Sequence, residues 1–275
     1  MSVLLMTVWL TGCVQEEFES TPSPAGNGIR FTLTVPDVNL PSVSSRTMTG
    51  TGTAKKEDEI ETVDILVFDM SKTPAVFLEW VSATGVTQDL ADNSTVSFSA
   101  VLSPTTASTC IVVVANKELD NIVSGFTKGA TTKVEAMEKM LHTQTGKWLA
   151  DGSTTGGYTR IPMYGEKVIS KITPSMDPIT GINMKRMLVR IDIRNNSATS
   201  NFTVEEVYLA NYNTTGYIAP AWNTNGQVTE PAPDTPVLPT GSGKMTEEGN
   251  AILYSVNGNT LYDGEIYTFE SLAAE

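Results

Sequence analysis

Histidine and cysteine are scarce in this 275-residue chain, which holds one histidine, His142, and two cysteines, Cys13 and Cys110. One histidine cannot build a His-rich metal centre, and neither a His-Glu-x-x-His nor a Cys-x-x-Cys pair occurs. Two cysteines cannot form a multi-bridge disulfide framework. Cations are also in short supply, 18 Lys and Arg against 31 Asp and Glu, for a net charge of −13 and a pI near 4.5. Binding a phosphate backbone requires clustered Lys and Arg, so nucleic acid is excluded as a partner, whereas an acidic surface keeps a protein soluble outside cells. The chain has no Gly-x-Ser-x-Gly elbow. Its one near-match to a phosphate loop, Gly241-Ser242-Gly243-Lys244-Met245, has Leu238 in place of the first glycine and Met245 in place of the magnesium-binding hydroxyl, so it reads as a turn. The carboxylates are scattered, and nothing selects a pair for a glycosidase. No catalytic residue, metal ligand or cofactor is expected.

Long apolar runs are missing too. Residues 3–10 form a short apolar stretch, well below the roughly 20 residues of a membrane-spanning helix, and read as a signal-peptide core. Leu10-Thr11-Gly12-Cys13 follows and resembles a lipobox, in which the cysteine is acylated and becomes the new N-terminus. No Lys or Arg precedes Arg30, so a start upstream of this one is expected. In that bacterial setting the Asn-x-Ser/Thr matches at Asn93, Asn195, Asn201 and Asn213 are read as coincidence.

What is present is β-type sequence. After a Ser-, Pro- and Glu-rich tether over 14–28, the run Ile29-Arg30-Phe31-Thr32-Leu33-Thr34-Val35 places apolar side chains on alternate residues, the period of a strand with one buried face. Pro36 ends it. Residues 36–52 are mostly Pro, Gly, Ser and Thr with Arg46 their only cation, an exposed and protease-accessible composition. Beyond the charged run Lys55-Lys56-Glu57-Asp58-Glu59, residues 60–69 predict a second strand with Val63, Ile65 and Val67 on one face and Leu66 and Phe68 on the other. The first strand can therefore be detached at Arg46 and the second cannot. Losing Phe31, Leu33 and Val35 would uncover three side chains, each worth about 1.5–3 kcal/mol when fully buried, roughly 5–9 kcal/mol together. That rivals the stability of a whole domain, ~5–15 kcal/mol, so the opened chain would be driven to capture a strand of matching alternation.

Further strands are predicted over 77–81 and 96–102. Residues 110–116, apolar on both faces, predict a central strand covered on both sides, with Cys110 a small buried hydrophobe. Thr132 and Glu135 form a capping-box pattern ahead of Val134, Met137 and Leu141, predicting one short helix with Lys133, Glu138 and Lys139 on its other faces. His142 falls at the end of that helix, where the dipole favours it. Pro174, Pro178 and Gly181 break the pattern, and a domain boundary is placed near Asn183. Beyond it, residues 189–194 alternate as a strand with apolar side chains in and charges out. Another strand covers 202–209, a long loop 211–249, and the last strands 251–256 and 265–269. About four strands are few for a closed sandwich, so a C-terminus cut short is expected.

In this order, the lipobox, the strand, the linker arginine, Val63 to Asp69, Ile111 to Asn116, Ile161 to Glu166 and Arg186 to Ile193 resemble the fimbrillins, subunits of the type V pili of Bacteroidales. The resemblance implies a mainly β protein of two tandem Greek-key, transthyretin-like β-sandwich domains with one short helix in the first. The parts would be a signal peptide over 1–13, a tether over 14–28, a first domain over 29–182 whose residues 29–46 are removable, and a second over 183–275. It implies export as a lipoprotein acylated at Cys13, display at the outer membrane and in a surface fimbria, and cleavage between Arg46 and Thr47 by an arginine-specific protease. Departure of the strand bearing Phe31, Leu33 and Val35 would then admit a donor strand from a neighbouring subunit. The implied partners are other fimbrial subunits, the protease, and a ligand on a host or bacterial surface. Two other readings stand beside it: a tip or anchor subunit of the same pilus, and a glycan-binding lipoprotein using Trp80 or Trp222 as a stacking platform.

Overall fold

The computed structural model describes residues 29–34, 57–88, 95–148, 159–193, 204–229, 236–240, 244–245, 251–255 and 262–271. The first half of the chain contributes β1 (Ile29–Thr34), β2 (Val63–Asp69), β3 (Val76–Ser82), β4 (Thr84–Gln88), β5 (Thr95–Ala100) and β6 (Thr109–Ala115). The helices α1 (Asp120–Val123) and α2 (Lys133–Lys139) follow, then β7 (Leu141–Thr143), β8 (Met163–Ile169), β9 (Ile179–Asn183) and β10 (Lys185–Arg186). The remainder holds β11 (Val189–Ile193), β12 (Glu206–Leu209), β13 (Tyr212–Asn213), β14 (Thr215–Tyr217), β15 (Lys244–Met245), β16 (Ile252–Ser255) and β17 (Tyr262–Thr268). The fold is mainly β, as expected.

Two sheets form a sandwich. The outer sheet has the order β4-β5-β1-β9 and the inner sheet β10-β8-β6-β2-β3. Alternation dictates what meets between them: Ile29, Phe31 and Leu33 of β1 with Val96, Phe98 and Ala100 of β5 face Val63, Ile65 and Val67 of β2 and Ile111, Val113 and Ala115 of β6. The opposite face of the inner sheet is buried as well. Leu66, Phe68, Cys110, Val112, Val114 and Tyr164 pack there against Ala136, Met137 and Met140 of the α2 region and against Ile218, Tyr267 and Phe269 from the C-terminal half. This explains why β6 is apolar on both faces, as the sequence predicted. Cys110 is a free, buried thiol, and burial pushes its pKa up to about 11, which keeps it protonated and inert.

Helix α2 has the expected capping box, with the Thr132 hydroxyl accepting from the Glu135 amide and the Glu135 carboxylate accepting from the Thr132 amide. Two details differ from expectation. Lys133 does not face solvent: it is 1% exposed, and its Nζ donates to Glu166 at 2.6 Å. Tyr164 donates to the same carboxylate oxygen at 2.5 Å, so the buried charge is neutralised within a small hydrogen-bonded group. His142 is not in the last turn of α2, which ends at Lys139 with Met140 as C-cap. It lies in β7, opposite Gly216 of β14, beside the rings of Trp148 and Phe269 at 5.1 and 6.4 Å. Burial, with a smaller contribution from Lys117, lowers its pKa to about 4, so the ring is neutral where a helix dipole would have favoured the cation.

β9 occupies a stretch that the sequence reads as a break. Ile179 and Ile182 are three residues apart, yet they sit opposite Phe31 and Leu33, which are two apart. The difference is a bulge carrying Gly181 at φ +70°, the left-handed conformation that glycine adopts without strain. The expected boundary near Asn183 falls between β9 and β10, the final strand of each sheet. Beyond it, the described residues form two-stranded pairs: β11-β17, β12-β16, β13-β15 and β14-β7. A small third core of Tyr212, Ile252, Tyr254 and Ile266 lies among them. Part of the expected 211–249 loop is thus structured, with Tyr212, Asn213, Ile218 and Ala219 buried. β11 also corrects its expectation: Val189 and Ile191 are 42% and 37% exposed, while Arg190 turns inward to an ion pair.

Candidate functional site

β1 holds a central position. It pairs antiparallel with β5 along all six residues, from Ile29 opposite Ala100 to Thr34 opposite Thr95, and parallel with β9 on its other edge. Phe31 and Leu33, at 1% and 0% exposure, are fully inside the sandwich, and the Phe31 ring stacks on Phe98 at 5.0 Å with 7° between planes. The other face of β1 is polar. Arg30 and Thr32, with Thr84, Thr87, Ser97 and Ser99, line an open surface cleft of about 580 Å³. Ile29, Phe31 and Leu33 together contribute burial worth roughly 5–9 kcal/mol, and the ladders on both edges add backbone hydrogen bonds. Removal of β1 alone would leave β5 and β9 facing each other across an empty strand position.

Among the site residues expected from sequence, the structure brings Phe31 and Leu33 together in this slot. Val35, Arg46, Thr47 and Cys13 lie outside the described residues. The two tryptophans considered as a stacking platform both pack partly against the core on the far side of the inner sheet, and Trp222 sits edge-on against Tyr217 at 4.9 Å.

At Glu57, where the chain leads into β2, the structure shows what sequence reasoning missed. The acidic run is not a solvated linker end. Glu57, 6% exposed, accepts from Arg190 Nη1 at 2.9 Å and from the Tyr267 hydroxyl at 2.6 Å. Arg186 pairs with Asp58 and also donates to the Glu57 carbonyl at 3.2 Å. Arg160 bridges Glu59 and Glu61, at 3.2 and 2.7 Å. Neutral side chains complete the set. Gln88, at the end of β4, accepts from the Ile60 amide and donates to the Asp58 carbonyl at 2.7 Å. Asn116, at the end of β6, accepts from the Glu61 amide and donates to the Glu59 carbonyl at 2.7 Å. Five consecutive residues are thereby tied to six side chains from separate parts of the chain. The only sequence signal was an excess of carboxylates ahead of a strand.

The family profile of the major fimbrial subunit protein (FimA) matches residues 29–216. No curated protein matches the chain. Among solved structures, a fimbrial assembly protein from Parabacteroides distasonis is similar at 10% identity and a TM-score of 0.47, over 89% of this chain and 77% of that one. A candidate cell adhesion protein from the same species is similar at 18% identity and a TM-score of 0.45, over 91% and 72%. A candidate polysaccharide-binding protein from Bacteroides thetaiotaomicron is similar at 12% identity and a TM-score of 0.36, over 69% and 60%.

Proposed function

The chain belongs to the FimA major fimbrial subunit family, a family of structural subunits that assemble with one another at the cell surface, and from that premise we propose that it polymerises by exchanging its first strand. In this reading the chain is exported as a lipoprotein acylated at Cys13 and held at the outer membrane. An arginine-specific protease cuts between Arg46 and Thr47, β1 leaves with the lipid, and a strand from a neighbouring subunit fills the vacated position. The assembled fibre serves adhesion to a host or bacterial surface.

One observation carries the proposal. β1 is a middle strand of its sheet, its apolar face fully buried, yet in sequence it is joined to β2 only through a small-residue linker holding Arg46. A central strand joined to the next by a cuttable connection can leave without disturbing the order of the strands that remain. A vacant middle position is then a strong acceptor, because an incoming strand gains hydrogen bonds on two edges and buries its apolar face. Retention of β1 until cleavage also keeps subunits from polymerising during export.

The test uses the full chain treated with an arginine-specific protease. A mature N-terminus at Thr47 together with a ladder of polymers, both abolished by Arg46→Ala, is the expected result. Cleavage at Arg46 with the product remaining monomeric, β1 still bound, would overturn strand exchange. Surface-extracted protein that keeps an acylated Cys13 would instead identify an anchor subunit.

A further inference from the structure

We infer that residues 57–61 are a retention anchor, which fixes the chain on the far side of the linker and so sets the limit of what can be peeled away. The inference rests on the strand-release reading and adds a site to it. Once the linker is cut, the new N-terminal segment leads directly into β2, a strand at the heart of the inner sheet with β3 and β6 on its flanks. A free end beside a central strand is where unravelling starts. The structure opposes it with three arginines at the point where the chain enters the fold. Arg160 precedes β8, Arg186 belongs to β10 and Arg190 to β11, and they pair with Glu59 and Glu61, Asp58, and Glu57 respectively.

The anchor also joins regions far apart in sequence. Tyr267 of β17 donates to Glu57 across 210 residues, and Arg190 of β11, its neighbour across the β11-β17 ladder, donates to the same carboxylate oxygen. Glu57 therefore ties the C-terminal ladder to the entry of β2. Gln88 extends the tie to β4 of the outer sheet. None of these partners lies on β1. Departure of β1 removes one partner of β5 and the partner of β9 but leaves the anchor bonds named above in place. The loss is thus confined to one strand position, and the body keeps the shape that an incoming strand must fit.

Hydrogen exchange read by mass spectrometry on the full chain, before and after cleavage with an arginine-specific protease, tests this. The reporters are the Ile60 and Glu61 amides, both hydrogen-bonded, and residues 262–268. In the wild type, excision deprotects 95–100 and 179–183 and leaves the reporters within about threefold of their uncut rates. In Arg186→Gln/Arg190→Gln the reporters exchange about tenfold faster or more, and both sets move together. Arg160→Gln, with a partly exposed pair, supplies a milder variant should the double one fail to fold, and it speeds the Glu61 amide first. Free exchange of the Ile60 and Glu61 amides in the uncut wild type overturns the anchor, as does a folded double variant with unchanged reporters. If 95–100 stays protected after cleavage, strand release fails instead, and the uncut wild type against the variants still judges the anchor.

Discussion

The slot occupied by β1 predicts a peptide-complementation experiment. The chain is cut after Arg46, the N-terminal fragment is removed in urea, and the body is returned to buffer and titrated with a fluorescent peptide of residues 29–35. In that peptide Phe31 corresponds to a side chain 1% exposed and stacked on Phe98, and Leu33 to one with no exposure. Truncating a buried Phe to Ala costs about 3–5 kcal/mol, and each 1.4 kcal/mol is tenfold in affinity, so Phe31→Ala weakens the peptide roughly a hundredfold to a few thousandfold. Leu33→Ala, at about 2–5 kcal/mol, has a comparable effect. Arg30→Ala is the control, since Arg30 is exposed on the outer face, and it changes binding by about threefold or less. Fluorescence anisotropy gives the three affinities directly. If Phe31→Ala and Leu33→Ala bind as well as the parent, or if Arg30→Ala is the most damaging, the captured segment is not occupying the β1 position and the reasoning fails.

Other consequences are measurable by urea unfolding of the uncut chain. A Cβ at Gly165 would stand 2.7 Å from Met184 Sδ, 2.8 Å from Ile182 Cγ2 and 3.1 Å from the Asn183 carbonyl, so Gly165→Ala destabilises by about 1–3 kcal/mol. Lys133→Met removes the ammonium partner of Glu166, which keeps the Tyr164 hydroxyl and some solvent, and costs about 1–3 kcal/mol, whereas Lys133→Met/Glu166→Gln, which discharges the site and keeps an acceptor for Tyr164, recovers part of the loss. Thr132→Ala removes the side-chain half of the capping box, the hydroxyl that accepts from the Glu135 amide, and costs about 1 kcal/mol. His142 ionises near 6.5 when unfolded and near 4 when folded. Between those values the unfolded chain binds a proton that the folded chain does not, so stability falls as pH drops through this window. Its share, discounted for partial exposure, is about 1–2 kcal/mol, and His142→Phe removes it from the pH profile.

Local periodicity carried the reading of sequence wherever a strand or helix obeys it without interruption. β1, β2 and β6 were legible because alternation or continuous apolarity fixes which side chains share a face, and α2 because Thr132 and Glu135 announce its start. β9 was not, because its bulge moves Ile182 into register with Leu33 and hides the period of two. In β11 alternation does not say which face is covered, and a register shift between Ile191 and Ile193 leaves Val189 and Ile191 exposed while Ile193 packs on the third core. Arg190 is drawn inward by Glu57, a partner 133 residues away. Lys133 follows the same logic, its charge accepted inside only because Glu166 and Tyr164 arrive from β8. Of the candidate site, the buried face of β1 was therefore visible in advance. The anchor at 57–61 was not, since every side chain that holds it comes from beyond local range.

β1 lies between one neighbour running against it and one running with it. A guest entering the vacated position in the direction of β1 meets one antiparallel and one parallel edge, and a guest entering the opposite way meets the same two kinds with sides exchanged. In a fibre built by strand exchange, backbone bonding alone would therefore set no polarity. Head-to-tail order would come from side chains, above all from how a guest's apolar residues match the three-against-two spacing that Gly181 imposes on one wall of the slot.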